Sequence, residues 1–287
     1  MKVAFICDSG TRRNVAQLRE MGIFSCPLQI SDETHNYLEL EDMSISEVYD
    51  KVDNKEMLKT SLPPLGMIQE TIEEIKSQGY DTVFCVPICS GLSGTSNAMR
   101  LACEQAELNF EFVDTHVTAE VEFYCITQAK KMYEAGKSLE EIKDKLNEVV
   151  QSAHTFLIPM DLNHLVRGGR LTPLAATLAG FLKICPILRI DATTQGRIDV
   201  FDKVRTLPKA MERVLDFMKN EQVNDKYDVF VAYVKDKMNC EKMLGKIKTA
   251  FPDANSSLIP LISTVGCHTG IGCIAIQFYQ RIDDSNE

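Results

Sequence analysis

The 287-residue sequence contains no tryptophan, only 7% of its residues are aromatic, and no run of five Lys or Arg occurs. With few rings to stack on bases and a formal net charge of −10, the sequence argues against nonspecific nucleic-acid binding, and no helix-turn-helix pattern is present. No Cys-x-x-Cys appears among the ten cysteines, so the usual zinc and dithiol redox signatures are missing. The cysteines are scattered through apolar stretches, the pattern of reduced, buried thiols in a reducing compartment. Neither G-x-G-x-x-G after the first strand nor G-x-x-x-x-G-K-[ST] is found, which argues against a nucleotide-binding enzyme. The longest apolar region, "LTPLAATLAGFLKICPILRI", is broken by Pro173, Gly180, Lys183 and Pro186 and does not read as a membrane span. The apolar run in "MKVAFICDSG" is too short for a signal peptide. A soluble cytoplasmic protein is expected, with no metal, no cofactor and no stable membrane insertion.

What is present is an alternation of strands and helices. "KVAFIC" (2–7) and "DTVFCVPIC" (81–89) are continuous apolar runs, as expected of strands buried on both faces. "IFSCPLQI" (23–30) reads as one further strand and "FEFVD" (110–114) as another. Leu65, Ile68, Ile72 and Ile75 fall at helical spacing, with Pro63 and Pro64 in the first turn and Gly79 as a stop. "SISEVYDKV" carries a helix signal, and "SNAMRLACEQA" and "TAEVEFYCITQAKKMYEAG" read as helices. "SLEEIKDKLNEVVQS" opens with Ser138 and Glu141 at capping-box spacing. This pattern predicts a parallel sheet covered by helices. It changes near residue 155, where "ILRIDATTQGRIDVFDKV" reads as an antiparallel hairpin turning at Gly196. Strands over 228–234, 257–262 and 273–280 complete a mixed sheet. The expected architecture is therefore α/β with two domains. An N-terminal parallel-sheet domain (1–155) would be followed by a C-terminal mixed-sheet domain (156–287). No Gly/Ser-rich linker separates them, so firm packing is expected.

The stretch "CVPICSGLSGTSNAM" (85–99) spends two glycines and three hydroxyls, Ser90, Ser93 and Thr95, on one strand-to-helix turn. Ligands collect at the carboxyl ends of strands in such sheets, and helix N-termini attract anions. A single hydroxyl there would be a cap; this density favours an anion site, with Gly91 and Gly94 allowing close approach. Thr60 and Ser61 in "KTSLPP" stand before a second helix, and taken alone they read as caps. "CDSG" (7–10) closes the first strand at the same sheet edge, where Asp8 either orients a hydroxyl or caps. In "STVGCHTGIGC", Gly266, Gly270 and Gly272 crowd His268, which points to close backbone approach. "RGGR" (167–170) fits an anion or partner contact as well as it fits a solvated helix end.

The ordered set "TSLPP" (60–64), "CSGLSGT" (89–95), "LVRGGRL" (165–171), "KVRT" (203–206) and "HTGIG" (268–272) resembles the DegV family along essentially the whole chain. The resemblance implies two α/β domains with one long-chain fatty acid held between them. It also implies a carrier, not an enzyme, that presents the fatty acid to a separate fatty-acid kinase for acyl-phosphate formation. Carried over by position, Thr60 and Ser93 become the carboxylate contacts, with Ser61, Gly94, Thr95 and His268 beside them. The family usually has Ser-Ser where this chain has Cys89-Ser90, and often "TSQP" where it has "TSLP". Arg170 and Arg205, in the two basic motifs, become candidate docking contacts for the kinase. Leu174, Leu178, Phe181, Leu182 and Ile184 are expected to wall the tail. The rival reading is a serine acyl hydrolase using Ser93, His268 and Asp8. "GLSGT" misses the Gly-x-Ser-x-Gly elbow by one residue, at Thr95.

Overall fold

The computed structural model describes residues 2–177 and 184–283. Strand β1 (Val3–Asp8) is buried along its whole length, as a strand covered on both faces must be. Helix α1 (Val15–Glu20), closed by a reciprocal capping box between Asn14 and Gln17, returns the chain to β2 (Phe24–Cys26), parallel to β1. The single strand expected over 23–30 is two strands in two sheets. Pro27 has no N–H to give a ladder, and pairing with β1 stops at Cys26. Strand β3 (Gln29–Ser31) instead joins β4 (Asn36–Leu38) and β5 (Lys59–Ser61) in a small antiparallel sheet. Helix α2 (Ile45–Asp53), with a capping box from Ser44 to Glu47, lies between β4 and β5 in the chain.

Helix α3 (Leu65–Ser77) buries Ile68, Ile72 and Ile75, while Leu65 stays exposed and Pro64 takes the N-cap position. Strand β6 (Thr82–Cys85), helix α4 (Thr95–Gln105) and β7 (Asn109–Phe112) complete a parallel sheet in the order β2-β1-β6-β7. β6 ends four residues before the expected Cys89, because Pro87 cannot continue the ladder. Helices α5 (Glu120–Glu134) and α6 (Leu139–Ser152) cover one face of this sheet, and α3 and α4 the other. The Ser138–Glu141 capping box of α6 forms as the spacing predicts.

The second half is built on β8 (His154–Ile158), α7 (Leu162–Gly168), α8 (Pro173–Thr177), β9 (Cys185–Asp191), β10 (Asp199–Val204), α9 (Leu207–Asn220), β11 (Tyr227–Tyr233), α10 (Met238–Ala250), β12 (Asn255–Pro260), α11 (Ser263–Thr269) and β13 (Ile274–Gln280). Its strands form a separate mixed sheet, β10-β9-β8-β13-β11-β12, in which only β11 and β12 run parallel. The hairpin turning at Gly196 is present as β9 and β10. Helices α9 and α10 pack on one face around Phe156, Phe217 and Phe278. Helices α2, α7 and α11 pack on the other, through Tyr49, Leu165 and Val265.

The two halves are tied by side chains that cross between them. Gln277 on β13 accepts from the N–H of Glu120 at 3.1 Å and of Val121 at 3.4 Å, and donates to the Thr118 carbonyl and the Thr155 hydroxyl, each at 2.8 Å. It thereby satisfies first-turn donors of α5 that no residue of that helix can reach. Arg12 bonds Glu120 at 2.7 Å and the Pro260 carbonyl at 3.0 Å. All ten cysteines are free, nine of them buried. No described helix is long and apolar enough to cross a membrane.

Candidate functional site

The two glycines of the 89–95 turn serve different ends. A Cβ on Gly91 would lie 2.3 Å from the carbonyl carbon and oxygen of Gly196, so this glycine admits the tip of the β9–β10 hairpin and not a ligand. Gly94 is exposed and holds the N-cap position of α4 with no side-chain cap bond. The hydroxyls are therefore not spent on capping. Ser93 Oγ and Thr95 Oγ1 are bonded to each other at 2.8 Å, and Thr95 is fully buried. When Thr95 donates, the Ser93 hydroxyl keeps its own proton for another acceptor. Ser90 donates to Asp114.

Ser93 opens on a narrow cavity of about 50 Å³ that is partly open to solvent. Its apolar wall is Leu28, Ile88, Leu92, Leu165, Ile198 and Val265, drawn from both halves. Its polar residues are Thr60, Ser61, Ser93, Arg170, Thr264, His268 and Thr269. Thr60 and Ser61 do not cap α3: they lie in β5, paired with Ile30 and Gln29 of β3. Ser61 donates to the Gln29 side chain at 3.2 Å, while Thr60 Oγ1 lies 2.7 Å from His268 Nε2.

Burial, then Arg170 and His164, depress the His268 imidazolium, bringing its pKa down to about 4. The ring is neutral at neutral pH. In the tautomer protonated at Nε2 it donates to Thr60 and leaves the threonine proton free for a carboxylate. The glycines around the histidine make room for protein. A Cβ on Gly168 would sit 2.7 Å from His268 Nδ1, and one on Gly266 would sit 2.2 Å from the Tyr49 hydroxyl. A hydrolytic triad is not assembled. His268 is bonded to Thr60 and not to Ser93, and Asp8 accepts from the N–H of Ile88 at 3.0 Å and of Gly10 at 2.7 Å.

Behind the cavity lie three buried carboxyls. Glu39 accepts from Ser9 Oγ and Thr264 N, each at 2.7 Å, and from Thr264 Oγ1 at 3.2 Å. Leu28 N donates to the same Ser9 hydroxyl at 3.0 Å, so one carboxylate holds two stretches of cavity wall. Burial pushes Asp8 up to about 6 and Glu39 up to about 7, and lifts Glu122 well above the carboxylate range. Glu122 Oε1 has no partner among the described residues, which suits a carboxyl that keeps its proton. Each raised pKa means that the folded state holds the proton more tightly than the unfolded one. The associated stability is complete below the unfolded pKa and is lost as pH rises through the folded value. Glu39, raised from 4.5 to about 7, accounts for a loss on the order of 3 kcal/mol across that window. In Glu39→Gln, denaturant unfolding followed from pH 4.5 to 7 should show a visibly flatter decline than wild type. An unchanged slope would remove Glu39 as the titrating group.

A family model described as "Uncharacterised protein, DegV family" matches residues 2–281. The chain belongs to the DegV family. A DegV domain-containing protein of Streptococcus pyogenes serotype M1 is 30% identical over 286 residues, covering 98% of this chain and all of that relative. Among solved structures, a fatty acid binding DegV family protein from Streptococcus agalactiae superposes with a TM-score of 0.88 at 25% identity, covering 98% and 99% of the two chains. A DegV family protein from Thermus thermophilus, described by its fatty acid binding, gives 0.85 at 21% identity, with coverage of 98% and 100%.

In this DegV chain, Thr60, Ser61, Ser93, His268 and Arg170 come together on one cavity; Thr95 is bonded to Ser93 but does not line the cavity, nor does the exposed Gly94. Arg205 follows Val204, at the opposite end of β10 from the cavity residue Ile198, and is exposed. Of the expected tail wall, Leu178, Phe181 and Leu182 lie outside the described residues. Leu174 is 64% exposed: α8 is a single short helix that turns Ala175 inward instead. Ile184 is half-buried and is not part of the cavity lining. Sequence reasoning missed Thr264 and Glu39. The "LELED" stretch around Glu39 looks like exposed polar chain, and only the three-stranded sheet carries it inside.

Proposed function

We propose that this DegV-family chain is a cytoplasmic carrier, not a catalyst, that holds one long-chain fatty acid. It presents the carboxylate to a separate fatty-acid kinase, which forms the acyl phosphate. The observation that carries the reading is the pairing of Thr60 and Ser93 at the polar side of an otherwise apolar cavity, with Thr60 backed by a neutral His268. The fatty-acid binding of the Streptococcus agalactiae protein, at 25% identity and the same fold, supports it. Residues 1–155 supply the head-group loops and residues 156–287 the opposite wall. Each buried methylene contributes about 0.8 kcal/mol, roughly 11 kcal/mol for a sixteen-carbon chain. Lost translation and chain ordering cancel several of those. The hydroxyls then mainly offset desolvation of the carboxylate and fix its position. Arg205, far from the cavity, is a docking contact for the kinase.

Denaturing extraction of the purified protein, followed by mass spectrometry, should release a long-chain fatty acid, and a delipidated sample should bind palmitate in a calorimetric titration. Absence of both would sink the proposal. Presentation is tested by adding ATP and a fatty-acid kinase: palmitoyl phosphate should form with the carrier present and not without it.

A further inference from the structure

Helices α9 and α10 pack on the face of the mixed sheet opposite to α2, α7 and α11, and so away from the cavity. Between them runs a surface groove of about 660 Å³, open to solvent. Leu207, Met211 and Leu215 of α9 recur along it at four-residue steps, and Asn239, Lys242, Gly245 and Thr249 of α10 at three- and four-residue steps, each set on one helix face. From Asn239 to Ala250 the groove follows α10 for roughly 16 Å, about three turns. Met211 and Leu215, both buried, form its apolar floor.

Three local choices along the groove are unfavourable within the chain itself. Lys242 and Lys246 are like charges one turn apart, and neither forms an ion pair among the described residues. The carboxylates of the two helices, Glu212, Asp216 and Glu241, do not line the groove, and Asp216 is already paired with Lys219 at 3.2 Å. Helix α9 begins with no side-chain cap bond and no acidic residue in its first turn, so its positive end is left uncompensated beside Leu207 and Pro208. Gly245 stands inside α10, where alanine forms helix better. Nothing lies within 4 Å of its Cβ position, so the fold does not require the glycine. The first two features call for negative charge, and the third leaves a notch in the groove wall for a side chain from outside. Local rules broken together at one place, with no gain inside the fold, mark a surface shaped by another molecule.

We propose that this groove docks an acidic amphipathic helix of a partner protein. Apolar side chains of that helix lie on Met211 and Leu215 and enter the notch at Gly245. Its carboxylates pair with Lys242, Lys246 and the start of α9. Charge complementarity selects the occupant: the cations are local, whereas the chain as a whole carries a net −10, so a second copy is repelled. Because the mixed sheet separates groove from cavity, the inference stands independently of the fatty-acid reading.

The probe is a fluorescein-labelled, stapled helical peptide of about 16 residues, with leucines at i, i+3, i+4 and i+7 and glutamates flanking them. Fluorescence anisotropy should show saturable binding to wild type, with a Kd on the order of micromolar, that weakens as salt rises. The variant carrying both Lys242→Glu and Lys246→Glu should bind the acidic peptide about tenfold or more weakly. A peptide with lysines in place of the glutamates should fail on wild type and regain affinity for that variant. Gly245→Leu should also lose about tenfold, while its melting temperature holds or rises by about 1 °C, so the loss does not come from unfolding. No binding of the acidic peptide to wild type, equal binding of both peptides, or wild-type affinity in the variants would overturn the proposal. Sedimentation completes the test: a wild-type dimer dispersed by the double charge reversal would make a second copy the occupant and overturn the assignment to a partner protein.

Discussion

Replacing Thr60 or Ser93 by alanine is expected to weaken palmitate binding by about tenfold each, and replacing both by substantially more, with thermal stability little changed. The reason lies in what each hydroxyl does before a ligand arrives. Thr60 is held at 2.7 Å from His268 Nε2, and Ser93 at 2.8 Å from Thr95. Both are pre-oriented, so little further ordering is needed when a carboxylate accepts from them. A bond lost to a buried charged group costs on the order of 1–3 kcal/mol, the range that corresponds to this loss. The two effects need not add, because one carboxylate receives both donors. Calorimetric titration of delipidated variants measures the loss, and a melting curve of each confirms its fold. Wild-type affinity in the double variant would place the carboxylate elsewhere.

The largest stability effect is expected at Gly91. Its missing Cβ is the space through which the 89–95 turn meets the Gly196 backbone, 2.3 Å from the position a methyl group would take. Both neighbours are main chain, so neither can rotate aside as a side chain would. Alanine there should destabilise the fold by about 3 kcal/mol, the upper end of overpacking costs, or about 5 °C in melting temperature for a chain of 287 residues. It should also lower palmitate affinity, since Leu92 and Ser93 follow directly. Gly66 in α3 is the control: nothing lies within 4 Å of its Cβ position, and alanine there should stabilise by up to about 1 kcal/mol. If the two substitutions shift melting alike, the close approach at Gly91 carries no special cost.

The parallel sheet and its helices were legible because burial on both faces leaves unbroken apolar runs, as in Val3–Asp8, and because Ile68, Ile72 and Ile75 repeat at the helical period. The hairpin at Gly196 was legible for a similar local reason. The three-stranded sheet was not. Its members are three residues each and are separated by up to twenty residues of chain, so no periodicity announces them. The same blindness made Thr60 look like a helix cap, when its position in β5 is what aims it at His268. The hydroxyls and the histidine could be singled out as residue types, but their meeting could not, since Thr60 and His268 lie 208 positions apart. Gly91 was noticed as a glycine and misread as ligand clearance, whereas Gly266 was read as a close backbone approach with no partner named. Only the fold shows that what they clear is other protein.

The position of β13 bears on how such a chain is made. It is the latest of the described strands to be synthesised, yet it sits at the centre of the mixed sheet, between β8 and β11. It also brings Gln277 to the first turn of α5. At roughly 5–20 residues per second on the ribosome, the segment from β8 to β13 takes on the order of 6–25 s to emerge. Through that interval β8 lacks its neighbour on one side, and the start of α5 lacks its cap. The N-terminal half therefore waits for the C-terminal strand, and the wait exposes an open sheet edge of the kind nascent-chain chaperones cover.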